Sequence, residues 1–370
     1  MIDSLHIKNF KCFENQIFEL GNLTLLTGLN GTGKSSVIQS LLLLRQSYQH
    51  RFLQRGRLLF NGDLIQLGKV QDVCFEGAKS SEFGFRLNFS EAQADWLFEY
   101  RRLDADVSRQ INPRVVSNVY NRTSLFRDNF HYLSADRVGP QPVFETSEYF
   151  VSRRRQLGTK GEYAPYFLHT FGAREILAEI LAHPTTTTET NLKNQVEAWM
   201  GEISPGIRID LEDYPSIDRI NLQYNFGIGS YPTNSYRSTN VGFGITYTLP
   251  ILLALLASRK DTLVLLENPE AHLHPQGQFK LGELMARAAS CGIQVIVESH
   301  SDHILNGIRV AVRQKIIAPD QVRLYYLSRP ADTNQLSSKV DSPRVDKDGR
   351  IDEWPEGFFD EWEKGLEQLF

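Results

Sequence analysis

Gly28-Leu-Asn-Gly-Thr-Gly-Lys-Ser35 carries the spacing Gly-x-x-x-x-Gly-Lys-Ser of a phosphate-binding loop. Its flanks give the motif weight. Asn22 to Thr27 reads as a buried strand, and Ser35 to Tyr48 places Val37, Ile38, Leu41, Leu42 and Leu44 on one helical face. Glycines between a strand and a helix let backbone N–H groups converge on an anion at the helix N-terminus. Lys34 is expected to reach the β- and γ-phosphates of ATP and the Ser35 hydroxyl to ligate Mg²⁺, with Asn30, Gly31, Thr32, Gly33 and Ser36 completing the cradle. The competing reading is a Gly-rich turn that happens to contain Lys-Ser.

A phosphate loop needs a carboxylate to serve the metal. Leu263-Val-Leu-Leu-Glu267 is an apolar strand ending in acid, so Glu267 is the candidate for the metal shell and the catalytic set. Glu270, one residue past Pro269, either polarises water or favours a helix start. Val295-Ile-Val-Glu-Ser-His300 repeats the apolar strand with a polar tip, and there His300 is a candidate partner for the γ-phosphate or the attacking water.

Outward from these motifs, Ile2–Phe10 and Ile17–Leu20 read as strands, and 58–135 as short antiparallel strands punctuated by Gly. From Gly161 to Met200 the pattern turns helical, Ala173–Ala182 being its best stretch. The last third alternates: helix over Thr246–Ser258, strand over Thr262–Leu266, helix over Gln276–Ala289, strand over Gln294–Val297, helix over Asp302–Gln314, strand over Arg323–Leu327. Such alternation implies a parallel sheet. We divide the chain into an N-terminal lobe with a β-subdomain (1–135), a helical or irregular insertion (136–239), a C-terminal lobe (240–330) and a tail (331–370). The tail aromatics Trp354, Phe358, Phe359 and Trp362 are expected to dock as core.

At 370 residues with 41% apolar and 23% charged side chains, usage is that of an ordinary globular protein. A net charge of -4 argues against wholesale coating of nucleic acid. Residues 101–160 carry 11 Lys/Arg against 6 Asp/Glu, net +5, and Arg153, Arg154 and Arg155 there are the candidate DNA contact. Three cysteines, far apart, fit neither a disulfide framework nor a zinc motif. The start of the chain lacks a signal-peptide core. Its longest apolar run, Leu249–Ala257, is far short of the roughly 20 residues of a membrane span. A cytoplasmic location without membrane contact is the expectation.

The order of these pieces resembles the ABC-type ATPase heads of the SMC and RecF class, including OLD-type ATPases. Ile7-Lys-Asn-Phe-Lys-Cys-Phe13 and Thr24 to Ser36 are similar to that class's first strands and Walker A motif. Asn240 to Pro250 resembles its signature motif, Glu267 to Pro275 its Walker B and D-loop, and Glu298-Ser-His-Ser301 its switch-histidine segment. Phe130–Pro140 and Gly349–Phe359 look like a narrower subgroup of standalone heads in bacterial defence systems.

The resemblance implies an α/β P-loop NTPase fold, an ABC-type head with an antiparallel β-subdomain and a helical insertion. It also implies a homodimer in which each ATP lies between one P-loop and the partner's Gly242, Phe243 and Gly244, and control of a partner effector or of DNA, plausibly in antiviral defence. Two glycines would let the γ-phosphate approach where a Cβ leaves no room, although Gly-Phe-Gly before an apolar helix also suits a tight turn. One departure bears on rate. The class places a second carboxylate after the Walker B acid as the base, whereas this chain has Asn268. Either Glu270 substitutes, or hydrolysis is slow and ATP acts mainly as a clamp. No coiled-coil arm is present in the sequence pattern, and neither Gln66 nor Gln71 is specific enough to name as the glutamine loop.

His272-Leu-His274 fits the D-loop better than a metal cluster, and Asp346–Ile351 echoes a calcium loop but has Arg344 and Pro355 where ligands are needed. A slow ATPase that acts as a conformational switch is therefore the leading expectation. A non-hydrolysing scaffold and a nuclease are the rivals.

Overall fold

The computed structural model describes residues 1–90, 92–99, 107–112, 119–228, 231–329 and 336–369. It resolves into two compact units. One comprises Met1–Arg127, Val322–Val345 and Ile351–Phe370; the other comprises Asp128–Gln321 and Asp346–Arg350.

In the first unit, strands β1 (Ser4–Phe10), β2 (Phe13–Glu19), β4 (Arg57–Leu59), β5 (Glu82–Phe89), β6 (Ala92–Glu99) and β7 (Val107–Asn112) form a sheet in the order β2-β1-β5-β6-β7-β4. Its pairings are antiparallel. Alternation sorts its faces: Phe83, Phe85 and Leu87 are buried, while Arg86 pairs across the strands with Asp95 at 2.8 Å. β3 (Leu23–Gly28) lies parallel to β16 (Val322–Ser328), which pairs antiparallel with β17 (Lys339–Asp341). Helix α1 (Lys34–Gln49) buries the apolar face expected of it, and α2 (Val70–Val73) and α3 (Val119–Arg122) are single turns.

The tail from Ile351 on belongs to this unit and ends in helix α9 (Glu361–Leu369). Of its aromatics, Phe358 is fully buried against Tyr326, with ring centroids 5.6 Å apart. Trp354 stays 50% exposed, so it covers the edge of Phe358 rather than joining the core. The Trp362 side chain lies outside the described residues.

In the second unit, β8 (Phe130–Leu133), β14 (Leu263–Glu267) and β15 (Gln294–Glu298) run parallel, with β14 paired to both neighbours. β8 thus departs from the antiparallel reading of 58–135. It is buried along its whole length, as a parallel strand must be. Helices α6 (Phe243–Leu256), α7 (Pro275–Ser290) and α8 (Asp302–Arg313) connect or follow these strands. The expected alternation of the last third is present, with boundaries moved by up to three residues.

The stretch between 136 and 239 is less helical than expected. It holds helices α4 (Ala164–Phe171) and α5 (Leu192–Gly201), but also a long hairpin of β10 (Ile207–Tyr214) and β11 (Arg219–Ile228). Short strands β9 (Phe144–Glu145), β12 (Tyr231–Pro232) and β13 (Tyr236–Arg237) add to β11. Ala173–Ala182 is not an α-helix. Ile176 N–H donates to Thr190 O, Leu192 N–H to Arg174 O, and Glu175 bridges Asn191. Those backbone groups are spent across the loop, and Leu177 is left 60% exposed. Among the described residues no helix is long and apolar enough to cross a membrane.

Candidate functional site

In the first unit the loop 28–35 has the geometry of a phosphate cradle. Gly28 has φ 136°, and a Cβ there would lie 2.0 Å from the Leu327 carbonyl oxygen on β16. Gly33, the N-cap of α1, has φ 105°, and a Cβ would lie 2.2 Å from the Cys12 sulfur. Both positions therefore require glycine. Helix α1 begins with no acidic residue in its first turn and, among the described residues, no side-chain cap, so its positive end is turned to the loop. Lys34 is buried, and its ammonium donates to the carbonyls of Gly28 at 2.9 Å and Leu29 at 2.7 Å. Thr32 Oγ1 donates to Leu29 O, closing the same turn. Asn30 and Gly31 are exposed, Ser35 is half-buried and Ser36 is buried. Backbone carbonyls are modest acceptors for a full positive charge, and an anionic phosphate would draw the ammonium from them. Burial pushes the neighbouring Cys12 thiol up, which keeps it protonated.

In the second unit, Glu267 ends β14. Tyr132 on β8 donates its hydroxyl to one carboxylate oxygen at 3.3 Å, and Ala135 N–H donates to the other at 3.2 Å. Burial raises the Glu267 carboxyl above its usual range, while the Ala135 N–H, the Tyr132 hydroxyl and the Arg137 charge oppose that rise. The next residue, Asn268, sits in the left-handed region at φ 44°, and its N–H donates to Glu298 O at 2.9 Å. Its side-chain oxygen is buried without a hydrogen-bond partner among the described residues. Glu270 reaches across to the end of β15: Ser299 Oγ donates to it at 2.8 Å and His300 N–H at 2.7 Å. Glu267, Glu270 and His300 are thus brought to neighbouring strand ends, with Glu267 in register with Glu298. His300 itself is exposed.

Helix α6 begins at Phe243 with Gly242 as N-cap and, among the described residues, no capping side chain. The two glycines differ. A Cβ on Gly244 would lie 2.3 Å from the His272 carbonyl oxygen, whereas one on Gly242 would meet nothing within 4 Å. Gly244 is therefore explained by packing on the 267–275 segment, and only Gly242 faces open space. Phe243 is 47% exposed and lies against His272 with ring centroids 4.7 Å apart. Beside them is a pocket of about 470 Å³, lined in part by Phe226, Tyr236, Asn240, His272 and His274. His274 caps α7, which explains His-x-His without a metal.

Arg137 was not singled out as a site residue by the sequence. It is buried, and donates to Ser134 O at 2.9 Å, Glu267 O at 2.7 Å and Asn268 O at 2.7 Å. Its guanidinium also stacks 4.8 Å from the Tyr247 ring centroid on α6. Two of its three acceptors are backbone carbonyls 130 and 131 residues onward, and no local spacing announces them.

The three arginines of the candidate DNA contact have different surroundings. Arg154 pairs with Asp128 at 2.6 Å, Arg155 stacks on Phe171 at 4.9 Å, and Arg153 is exposed. Gln66 and Gln71 are both exposed. Asp346 accepts the N–H groups of Asp348 and Arg350 at 2.8 Å each, so the calcium-like stretch is a hydrogen-bonded turn. Among the described residues no cluster of three or more His, Cys, Asp or Glu could hold a metal ion. Ser35 in the first unit and Glu267 in the second each carry a hard oxygen, the donor type that Mg²⁺ takes.

The P-loop between β3 and α1 in one unit, and the acid-tipped parallel strands of the other, are features of the P-loop NTPase fold seen in SMC heads. Residues 4–138 match a family described as an AAA domain. Residues 204–306 match one described as "AAA domain, putative AbiEii toxin, Type IV TA system". Residues 317–369 match a domain described as a protein of unknown function (DUF3696). Among solved structures, the chain is similar to an Smc head bound to the C-winged helix domain of ScpA, at 16% identity and TM-score 0.55, covering 93% of this chain and 98% of that one. It is also similar to the Smc head with an extended coiled coil bound to the C-terminal domain of ScpA from Pyrococcus furiosus, at 14% identity and TM-score 0.54, covering 100% of this chain and 99% of that one. At such identities the likeness establishes the fold. No curated protein matches the chain.

Proposed function

We propose that this protein is an ATP-binding conformational switch that hydrolyses ATP slowly, pairs head to head on ATP, and thereby controls a partner. The observation that carries the reading is the loop 28–35: two left-handed glycines with no room for a Cβ, and a buried Lys34 whose ammonium lies in the loop, donating to the Gly28 and Leu29 carbonyls at the start of α1. Lys34 would bind the β- and γ-phosphates, Asn30–Ser36 would line them, and the Ser35 hydroxyl and the Glu267 carboxylate are each the kind of ligand that Mg²⁺ would take. The metal would supply charge neutralisation at the γ-phosphoryl group.

Slow turnover follows from the residues around Glu267. Asn268 cannot take a proton from water. Glu270 is already committed to Ser299 and His300, so it serves first to place His300 and only second, if at all, as a base. Pairing is supported by Gly242, whose open side and exposed Phe243 suit an approach from a second copy to the N-terminus of α6. A protein partner is favoured over DNA, because two of the three clustered arginines are occupied and the Smc heads of similar fold were solved with ScpA domains. A role in antiviral defence rests on resemblance alone.

Calorimetric titration with ATP and Mg²⁺ tests binding, and light scattering of the Glu267→Gln variant with ATP tests pairing. A chain that binds no ATP, or stays monomeric at micromolar concentration with saturating ATP, refutes the corresponding half of the reading. Asn268 also favours a second reading, an ATP-bound scaffold with negligible turnover. Steady phosphate release abolished by Lys34→Ala would exclude it.

A further inference from the structure

We infer that Arg137 is a positioning residue for ATP hydrolysis: it clamps the Glu267–Asn268 corner and links it to helix α6. This rests on the reading of that corner as the hydrolytic side of the nucleotide site. One guanidinium group spans three carbonyls, those of Ser134, Glu267 and Asn268, at 2.7–2.9 Å. It thereby joins the end of β14 to the segment after β8. The fork of five donors is what permits this, since a lysine ammonium is a point donor on a flexible stem. The clamped corner contains the left-handed Asn268, whose conformation redirects the chain from the strand toward Pro269 and Glu270.

Two observations set Arg137 apart from a residue that merely fills the core. Its Nε is buried without a partner among the described residues, so an apolar side chain would have been less costly for packing alone. Its face lies on Tyr247, which packs on Phe243 and His272 with ring centroids about 5.1 Å away. A displacement of Gly242 and Phe243 at the head of α6 therefore reaches the Glu267 carbonyl through three contacts, Phe243–Tyr247, Tyr247–Arg137 and Arg137–Glu267 O. Burial lowers the guanidinium to about 10, which still leaves it charged at neutral pH, in the field of both Glu267 and Glu270. Arg137 thus supplies a fixed charge and a mechanical tie in one side chain.

The test compares wild type with Arg137→Lys, Arg137→Ala, Tyr247→Phe and Tyr247→Leu, scoring steady-state ATP turnover, ATP affinity and melting temperature. The expected result is a fall in kcat of at least tenfold for both Arg137 variants, with ATP affinity within threefold of wild type. Millimolar guanidinium should restore part of the Arg137→Ala loss and should not raise wild-type turnover. Tyr247→Phe keeps the ring and should retain turnover, whereas Tyr247→Leu should lose it. If Arg137→Ala does not fold, Arg137→Lys and the Tyr247 pair carry the same comparison. Unchanged kcat in these variants, or losses confined to KM, overturns the inference while wild-type turnover keeps the functional reading intact. Absence of turnover in folded, ATP-binding wild type overturns the hydrolytic reading itself, and this inference with it.

Discussion

Replacing Gly242 and Gly244 one at a time by alanine separates a packing role from a contact role. At Gly244 the new Cβ would lie 2.3 Å from the His272 carbonyl oxygen, 3.1 Å from its carbon and 3.3 Å from a Leu273 methyl. A normal contact needs about 1 Å more, and neither the backbone of α6 nor that of residue 272 can give it cheaply. Overpacking of this kind costs about 1–3 kcal/mol. For a chain of 370 residues, at roughly 2.1 cal/mol/K of unfolding entropy per residue, that is on the order of 1–4 °C in melting temperature.

At Gly242 the same atom would meet nothing, and φ of -56° is ordinary for alanine. Stability should therefore change little, because the gain of about 0.4–1 kcal/mol from a less flexible unfolded chain is offset by alanine's poorer fit as the N-cap of α6. If a second copy's nucleotide approaches Gly242, that methyl group lies in its way. Gly242→Ala, placed in the Glu267→Gln background, should then lose ATP-driven pairing by light scattering despite melting normally. Equal melting of the two alanine variants refutes the packing assignment. Undiminished pairing of Gly242→Ala refutes the face-to-face contact.

Lys34→Ala should weaken ATP binding by about a hundredfold, the loss of a charge-assisted contact of roughly 2–3 kcal/mol, as measured by titration calorimetry. Asn268→Asp places a carboxylate where the base is missing and should raise phosphate release severalfold; turnover that does not move would mean that proton abstraction is not limiting. Glu267→Gln should melt above wild type at neutral pH. Because burial raises the folded-state pKa of Glu267, its ionised form costs stability fully above that pKa, and the cost disappears below the unfolded value near 4.3. The gap in melting temperature should therefore close as pH falls through the ordinary carboxyl range, and a gap independent of pH would contradict the cause given. The new amide can still accept from Ala135 N–H, with the Tyr132 hydroxyl turning to accept from it.

The phosphate loop was legible because its determinants are contiguous. Gly28, Gly33 and the apolar stripe of α1 specify strand, turn and helix within about twenty residues. Glu267 and His300 were legible for a related reason, since an apolar run ending in a polar residue marks where a buried strand surfaces. The β10–β11 hairpin was also readable, from the buried alternation of Ile220, Leu222 and Tyr224, but the neighbouring helical stretch masked it. Ala173–Ala182 misled because helical composition does not say where backbone groups pair, and here the Ile176 N–H donates to Thr190 O while Arg174 O accepts from the Leu192 N–H.

The sequence by itself determined the loop, the order of the motifs and the asparagine that follows Glu267, all properties of neighbours along the chain. Tertiary structure alone decided that Glu270 holds the His300 segment, that Gly244 is needed for packing while Gly242 is open, and that Arg137 grips the Glu267 corner. Those facts depend on hydrogen-bond reach and atomic clearance between residues 28 to 130 positions apart, distances that a linear pattern does not encode.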